Sequence, residues 1–202
     1  MKNSFRKTTR VLSALAVAAC LGTTAVMVPL LGSLPASAAE KPVQPEKNPP
    51  GDIPDSQVFI DYTSPQGFAL KVPEGWSRAT RAGTTTFVDK YNGISVVTMQ
   101  RGHAPTVASA KGSEIAQLKA ATKGFAQPVV SAVSRPAGSG VLVTYRALSA
   151  ANSVTGKSVT DDVERYELWR AGKVAVITLQ APHGSDNVDA WRLITSSLRW
   201  TR

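Results

Sequence analysis

Val-Thr-Asp-Asp-Val-Glu-Arg-Tyr-Glu-Leu-Trp-Arg-Ala-Gly-Lys-Val-Ala-Val-Ile-Thr-Leu-Gln, residues 159–180, is the stretch whose reading decides the fold class. It divides at Ala171-Gly172, a pair suited to a tight two-residue turn, into strands running from about Val159 to Arg170 and from Lys173 to Gln180. Val174 to Leu179 is apolar at odd and even positions alike, so both faces of the second strand are expected to be covered and the strand to be central. In the first strand, side chains alternate between faces. Asp162 and Glu164 therefore share one face, and Asp161 lies on the other.

Working toward the N-terminus, the small polar loop Ala150 to Lys157 precedes Val141 to Leu148, where Val141, Val143, Tyr145 and Ala147 alternate with less apolar neighbours. Val129 to Val133 reads as a further strand. Before it, Val107, Ile115 and Leu118 have helical spacing; Ser113 with Glu114 is the expected start of the better part of that helix, and Lys119, Lys123 and Gly124 suit its end. Four strands are expected earlier still: Val58 to Ile60; Phe68 to Val72 after a Ser64-Pro65-Gln66-Gly67 turn; Thr84 to Lys90; and Ile94 to Met99 across a hairpin at Tyr91-Asn92-Gly93. Downstream of the central strand, Val188, Trp191, Leu193, Ile194 and Leu198 follow a helical period, with Ser185 or Asp186 as the expected N-cap. Strands mostly beside their sequence neighbours and two segregated helices make an α+β domain, not a doubly wound sheet.

Val72-Pro73-Glu74-Gly75-Trp76, the paired strands around Tyr166 to Arg170 and Val174 to Leu179, and a last helix running into Ser197-Leu198-Arg199-Trp200 resemble the PsbP-like α/β/α sandwich. Within that fold the chain is most similar to the small actinobacterial envelope proteins of the LpqN/LpqT type. The resemblance spans nearly all of 57–202. It implies a secreted or envelope-anchored domain that binds proteins or assists assemblies, with no shared catalytic residues to carry over.

Residues 1–38 read as an export segment. Lys2, Arg6, Lys7 and Arg10 precede an uncharged run from Val11 to Leu34, and no acidic residue appears before Glu40. Pro35 then introduces the small-x-small site Ala36-Ser37-Ala38, so the first expectation is cleavage between Ala38 and Ala39. Val17-Ala18-Ala19-Cys20 also fits a lipobox, with Cys20 as the lipid attachment, and residues 11–34 are long enough to be retained as a membrane anchor. Residues 39–56 contain five prolines and almost no large apolar side chains, which predicts an extended tether before a single domain over 57–202. Cys20 is the only cysteine, so a chain starting at Ala39 has neither a disulfide nor a thiolate metal site.

Composition and motifs remove most chemistries. Residues 39–202 hold 19 basic and 14 acidic residues, a net +5 that favours anionic envelope surfaces, but the cations are too dispersed for a nucleic-acid footprint. Gly156-Lys157-Ser158 is not a phosphate loop, because Ala151 stands where the motif needs glycine; Gly138-Ser139-Gly140 is a flexible turn and not a nucleophile elbow. His103 and His183 each sit in a loop beside proline or glycine and read as solvated; no cofactor or metal is expected. The acidic group Asp161, Asp162 and Glu164 reads as a solvated edge. Trp169, flanked by Arg165 and Arg170 near a hairpin, is the candidate ligand or partner surface.

The leading expectation is an exported, non-enzymatic envelope protein that binds a partner protein or an envelope component. Its alternatives are a secreted hydrolase with a site near His183 and Asp161/Asp162/Glu164, and a structural domain without a small ligand.

Overall fold

Alternating apolar strands can bury one face only against another layer, and this chain builds three layers. The computed structural model describes residues 50–151 and 156–201; the export segment, the Ala38–Ala39 site and Cys20 lie outside them. Seven strands form an antiparallel sheet: β3 (Ser77–Arg81), β4 (Thr84–Asp89), β5 (Asn92–Gln100), β6 (Ala126–Arg135), β7 (Gly138–Leu148), β8 (Thr160–Arg170) and β9 (Lys173–Pro182), in the order β3-β4-β5-β9-β8-β7-β6. A small second sheet joins β1 (Phe59–Ser64), β2 (Phe68–Pro73) and β10 (Arg199–Trp200), with β2 in the middle. One helical run comprises α1 (Val107–Ser109), a π-helical segment (Ala110–Glu114) and α2 (Ile115–Ala121); α3 is Val188–Ser197.

As expected, β9 is the middle strand of the large sheet. Ala175, Ile177, Leu179 and Ala181 enter the main core with Phe68, Leu70, Ile94, Leu168, Trp191 and Ile194, beneath α3 and the small sheet. Val174 and Val176 are buried on the opposite face. There a second cluster, Val143, Tyr145, Ala147 and Val163, packs with Ile115, Leu118 and Phe125 of the helical run and its exit. The β8–β9 turn falls at Ala171-Gly172 with φ +49° and +84°, and Arg170 pairs with Lys173.

Four local expectations are corrected. The β4–β5 hairpin turns at Lys90-Tyr91, while Asn92 and Gly93 pair inside the ladder with Asp89 and Val88. Asn92 is buried and accepts a hydrogen bond from Asn187, and Gly93 leaves room for the Gln180 side chain. Strand β3 had no apolar pattern to announce it; every residue is exposed, and its register with β4 places it at the sheet edge. The first long helix starts at Val107, six residues before Ser113, because Thr106 and Ser109 form a reciprocal capping box. α3 is preceded by Asn187, not by a capping Ser185 or Asp186, and the Asn187 amide bonds other parts of the chain.

Those bonds also end the tether early. The N–H of Ile53 donates to Asn187 Oδ1 at 2.7 Å, Asn187 Nδ2 donates to the Gly51 carbonyl, and Ile53 is 7% exposed. Residues 51–53, expected within the extended tether, are strapped to the loop before α3. Gly51, at φ +102°, is required there: a Cβ would stand 2.5 Å from both Pro182 Cδ and Ser185 Oγ. No helix among the described residues is long and apolar enough to cross a membrane.

Candidate functional site: a cleft between the large sheet and α3

Register alone assembles this site. On β8, Asp162 and Glu164 face α3, and the β7 partners directly opposite are Arg146 and Thr144. Val129 lies opposite Thr144 on the next strand, and Ala181 opposite Asp162 on β9. The chain leaves β9 through Pro182-His183-Gly184 and enters α3, bringing Val188 and Trp191 over this patch. The result is an open cleft of about 450 Å³ with Val129, Val188 and Trp191 as apolar lining and Arg146, Asp162 and Glu164 as the charged part.

Asp162 is the polar centre of the rim. Its Oδ2 lies 2.7 Å from His183 Nδ1 and accepts from the Gly184 N–H at 3.3 Å, while its Oδ1 accepts from Arg146 Nε at 3.4 Å. Burial pushes its carboxyl up, but the hydrogen bonds from His183, Gly184 and Arg146 and the His183 charge outweigh burial and hold it below the usual carboxylate range. An ionised carboxylate only accepts, so His183 donates to Asp162 from Nδ1 and turns Nε2 away from it. Deeper on this face, Tyr166 Oη donates to Glu164 Oε2 at 2.7 Å, and Arg135 sits 5.3 Å over the Tyr166 ring. Burial first, and the Glu164 carboxylate second, push the Tyr166 phenol up to about 12, so it stays a donor at neutral pH.

Chemically the cleft can accept hydrogen bonds from a donor-rich ligand and has one imidazole at its rim, but it lacks an evident nucleophile. Ser185 lines it, yet its Oγ is buried with no hydrogen-bond partner and faces Gly51 of the strap. Among the described residues no group of three His, Cys, Asp or Glu side chains is placed to hold a metal ion.

The expected residues are thus partly brought together. Asp162 and Glu164 line the cleft, and His183 meets Asp162 at its rim. Asp161 does not join them: it is 2% exposed on the other face, beside a separate cavity bordered by Tyr91, Lys157 and Gln180, and its Oδ1 has no hydrogen-bond partner. Burial, with the Asp162 charge next, raises its carboxyl to about 6. His103 follows β5, whose last residue, Gln100, pairs with Lys173 at the start of β9, whereas His183 follows the end of β9. A strand of ten residues, roughly 30 Å, separates their surroundings.

Around Trp169, Arg165 and Arg170, two of the three expected side chains are engaged within the domain, and Arg170 is exposed. Arg165 donates to Glu114 Oε1 at 2.7 Å and reaches Glu167 at 3.5 Å, Arg101 bonds Glu167 at 2.6 Å, and Trp169 Nε1 donates to the Arg101 carbonyl. The Arg165–Glu114 pair fastens the helical run to the sheet, and the bonds to Arg101 hold the chain leaving β5 against β8. Arg170, one residue on from Trp169, points to the opposite face. What the sequence reading missed is Arg146, Thr144 and Trp191 as partners of Asp162 and Glu164; the available signal was the pair of polar residues at alternating positions Thr144 and Arg146 in an otherwise apolar strand.

No family model and no curated protein matches the chain. Among solved structures, the solution structure of cyanobacterial PsbP (CyanoP) from Synechocystis sp. PCC 6803 is similar over 74% of this chain and 98% of its own, with a TM-score of 0.50 and 15% identity. LpqN of Mycobacterium tuberculosis, described as involved in cell envelope biogenesis, aligns over 72% of this chain and 91% of its own at a TM-score of 0.39 and 18% identity. A Bacteroides thetaiotaomicron protein aligns at 0.43 and 14%, and the chain spans about half of it, 48%. At these identities what is shared is architecture, and on the alignment with CyanoP, nearly end to end for that protein, the chain has the PsbP-like α+β fold.

Proposed function

We propose that this is an exported, non-catalytic envelope protein whose α3 cleft binds a donor-rich envelope component or a segment of a partner protein. The observation that carries the reading is the composition of the cleft: an apolar wall of Val129, Val188 and Trp191 faces acceptors on Glu164 and a fixed Arg146–Asp162–His183 rim. Pockets that combine an apolar lining with a few oriented polar groups are the usual ligand sites. The export segment and the proline-rich stretch read from the sequence fit a domain held at or beyond the cell surface. Net charge is a weaker guide than the sequence count implies. Arg101, Arg146, Arg165, Arg192, Arg199 and Lys71 are all ion-paired within the domain, which leaves less basic surface for anionic polymers.

Co-sedimentation of the exported protein with isolated cell-wall sacculi, and separately with phosphatidylglycerol vesicles, tests the reading. Val188→Arg, at a position 59% exposed, fills the cleft mouth without disturbing the core. Retention by sacculi that is lost in Val188→Arg supports the cleft; retention unchanged by it defeats the cleft as the binding site.

A second reading rests on the 2.7 Å His183–Asp162 pair, which is the arrangement of a general base and its orienting carboxylate. It makes the domain a hydrolase that activates water directly. Turnover of an ester or glycoside panel that disappears in His183→Ala with folding intact selects this reading; absence of turnover in the unaltered protein rejects it.

A further inference from the structure

The two edges of the large sheet are built differently. Edge strand β3 has five residues, two of them arginine, the usual protection against unwanted pairing. Edge strand β6 has ten residues and no charge before Arg135. A register shift between Ala126 and Val129, positive φ at Gln127, and Pro128 disrupt its beginning. From Val129 to Arg135 its register with β7 is unbroken, and Val129-Val130-Ser131-Ala132-Val133-Ser134 is a β-prone run without charge, proline or glycine. Four of these six are exposed, Val129 at 61%. No strand among the described residues pairs with the outer side of β6.

We infer that β6 pairs antiparallel with β6 of a second copy about a two-fold axis through Ser131, joining two seven-stranded sheets into one. The strand is self-complementary in that register. A two-fold perpendicular to the sheet keeps each face on its own side, so residues opposite one another have the same parity. Centred on Ser131, it sets Ser131 opposite Ser131, Val130 opposite Ala132, Val129 opposite Val133 and Pro128 opposite Ser134. The two Val129–Val133 pairs flank a hydroxyl pair, and both combinations are favourable across strands. Arg135 falls opposite Gln127, so no like charges meet.

The proline-rich stretch before the described residues is a poor substitute. Pro42, Pro45 and Pro49 punctuate residues 39–49 and lack the donors a ladder needs. A free edge of this kind in a secreted protein is an aggregation hazard unless covered, and a closed two-fold pair removes it on both copies at once.

The test uses the full chain carrying Cys20→Ser, recovered after export, so that an introduced thiol is the only one. Directly opposite residues have Cα atoms roughly 4.5–5.5 Å apart, inside the span of a disulfide. Ser131→Cys is expected to cross-link into dimers under mild oxidation, while Ala79→Cys on the β3 edge stays monomeric. In sedimentation velocity the Cys20→Ser chain is expected to dimerise, Ser131→Lys and Ser131→Glu each to lose the dimer, and their mixture to regain it. A monomer at every concentration, equal cross-linking at residues 79 and 131, or a Ser131→Lys protein that still dimerises overturns the inference.

Discussion

The two faces of β8 carry similar side chains to different ends. Toward α3, Asp162 and Glu164 stand in an open cleft, and Asp162 is paired with a group that is itself partly exposed: the side chains of His183 and Asp162 are 48% and 42% accessible. Toward the helical run, Glu167 and its neighbour Glu114 are 6% and 13% accessible and are shared between Arg101 and Arg165. Burial, then hydrogen bonding and repulsion from Glu114, raise the Glu167 carboxyl despite the two arginines, whereas Asp162 is held down. One face is open to solvent and the other holds a helix. The difference is water, since the same ion pair is screened on one face and desolvated on the other.

The largest way to break this contrast is Arg165→Ala. It leaves two closely spaced carboxylates under the helical run with Arg101 alone, and breaking such a buried group costs about 3 kcal/mol. Urea denaturation should show that loss, whereas Arg146→Ala on the cleft side should cost under about 1 kcal/mol. Equal losses would mean that the two faces are equally wet.

Next in size is Asp161→Asn. With a native pKa of about 6 against an ordinary 3.8, the protonated form is favoured by folding. Its stability contribution is complete below about pH 4 and is lost as pH rises toward 6. The unaltered protein should therefore lose stability across that window. Asn, uncharged at every pH, should flatten this part of the profile and stabilise the protein at pH 7. A profile unchanged by the substitution would show that Asp161 is not the group responsible.

Tyr166→Phe comes third. It keeps the buried ring and removes the hydroxyl that donates to Glu164. A loss of about 1 kcal/mol is expected, and Glu164 becomes a freer acceptor, so sacculus retention should rise or hold while melting temperature falls. A fall in both would place Tyr166 itself at the ligand.

How much of this was legible follows from the range of the interactions. β8, β9 and their Ala171-Gly172 turn could be read because the signals are local: period, β-branching and a glycine at positive φ. The fold class followed from them. β3 could not be read, since Ser77-Arg78-Ala79-Thr80-Arg81 has no apolar face and is a strand only because β4 offers it a ladder. Nor could the shift of the turn off Asn92-Gly93, which depends on Asn187, 95 positions away. At the site, Asp162 and Glu164 were legible as one face, and Asp161 as the other, from the two-residue period alone. Arg146 was not, because its bond to Asp162 is a consequence of the β7–β8 register. Arg165 and Trp169 looked like surface for the same reason in reverse: nothing local announces that Arg165 will meet Glu114 or that Trp169 will bond the Arg101 carbonyl.

The smallest expected effect is also the one that discriminates function most sharply. His183→Ala removes one donor to an Asp162 that keeps the Gly184 N–H and Arg146, on an accessible rim. Its cost in stability should be below about 1 kcal/mol. Asp162 is stabilised in its ionised form, so its contribution is present above the ordinary carboxylate pKa and is lost as pH falls below about 4. The variant should accordingly match the unaltered protein in acid and differ slightly from it at pH 6 to 7. If the rim serves binding, ligand retention should weaken modestly, because Arg146 still orients Asp162. If it serves hydrolysis, turnover should vanish, because Nε2 is then the base and nothing replaces it. A variant with near-native stability, weakened retention and no turnover to lose keeps the cleft a binding site; abolished turnover at the same stability makes it a catalytic one.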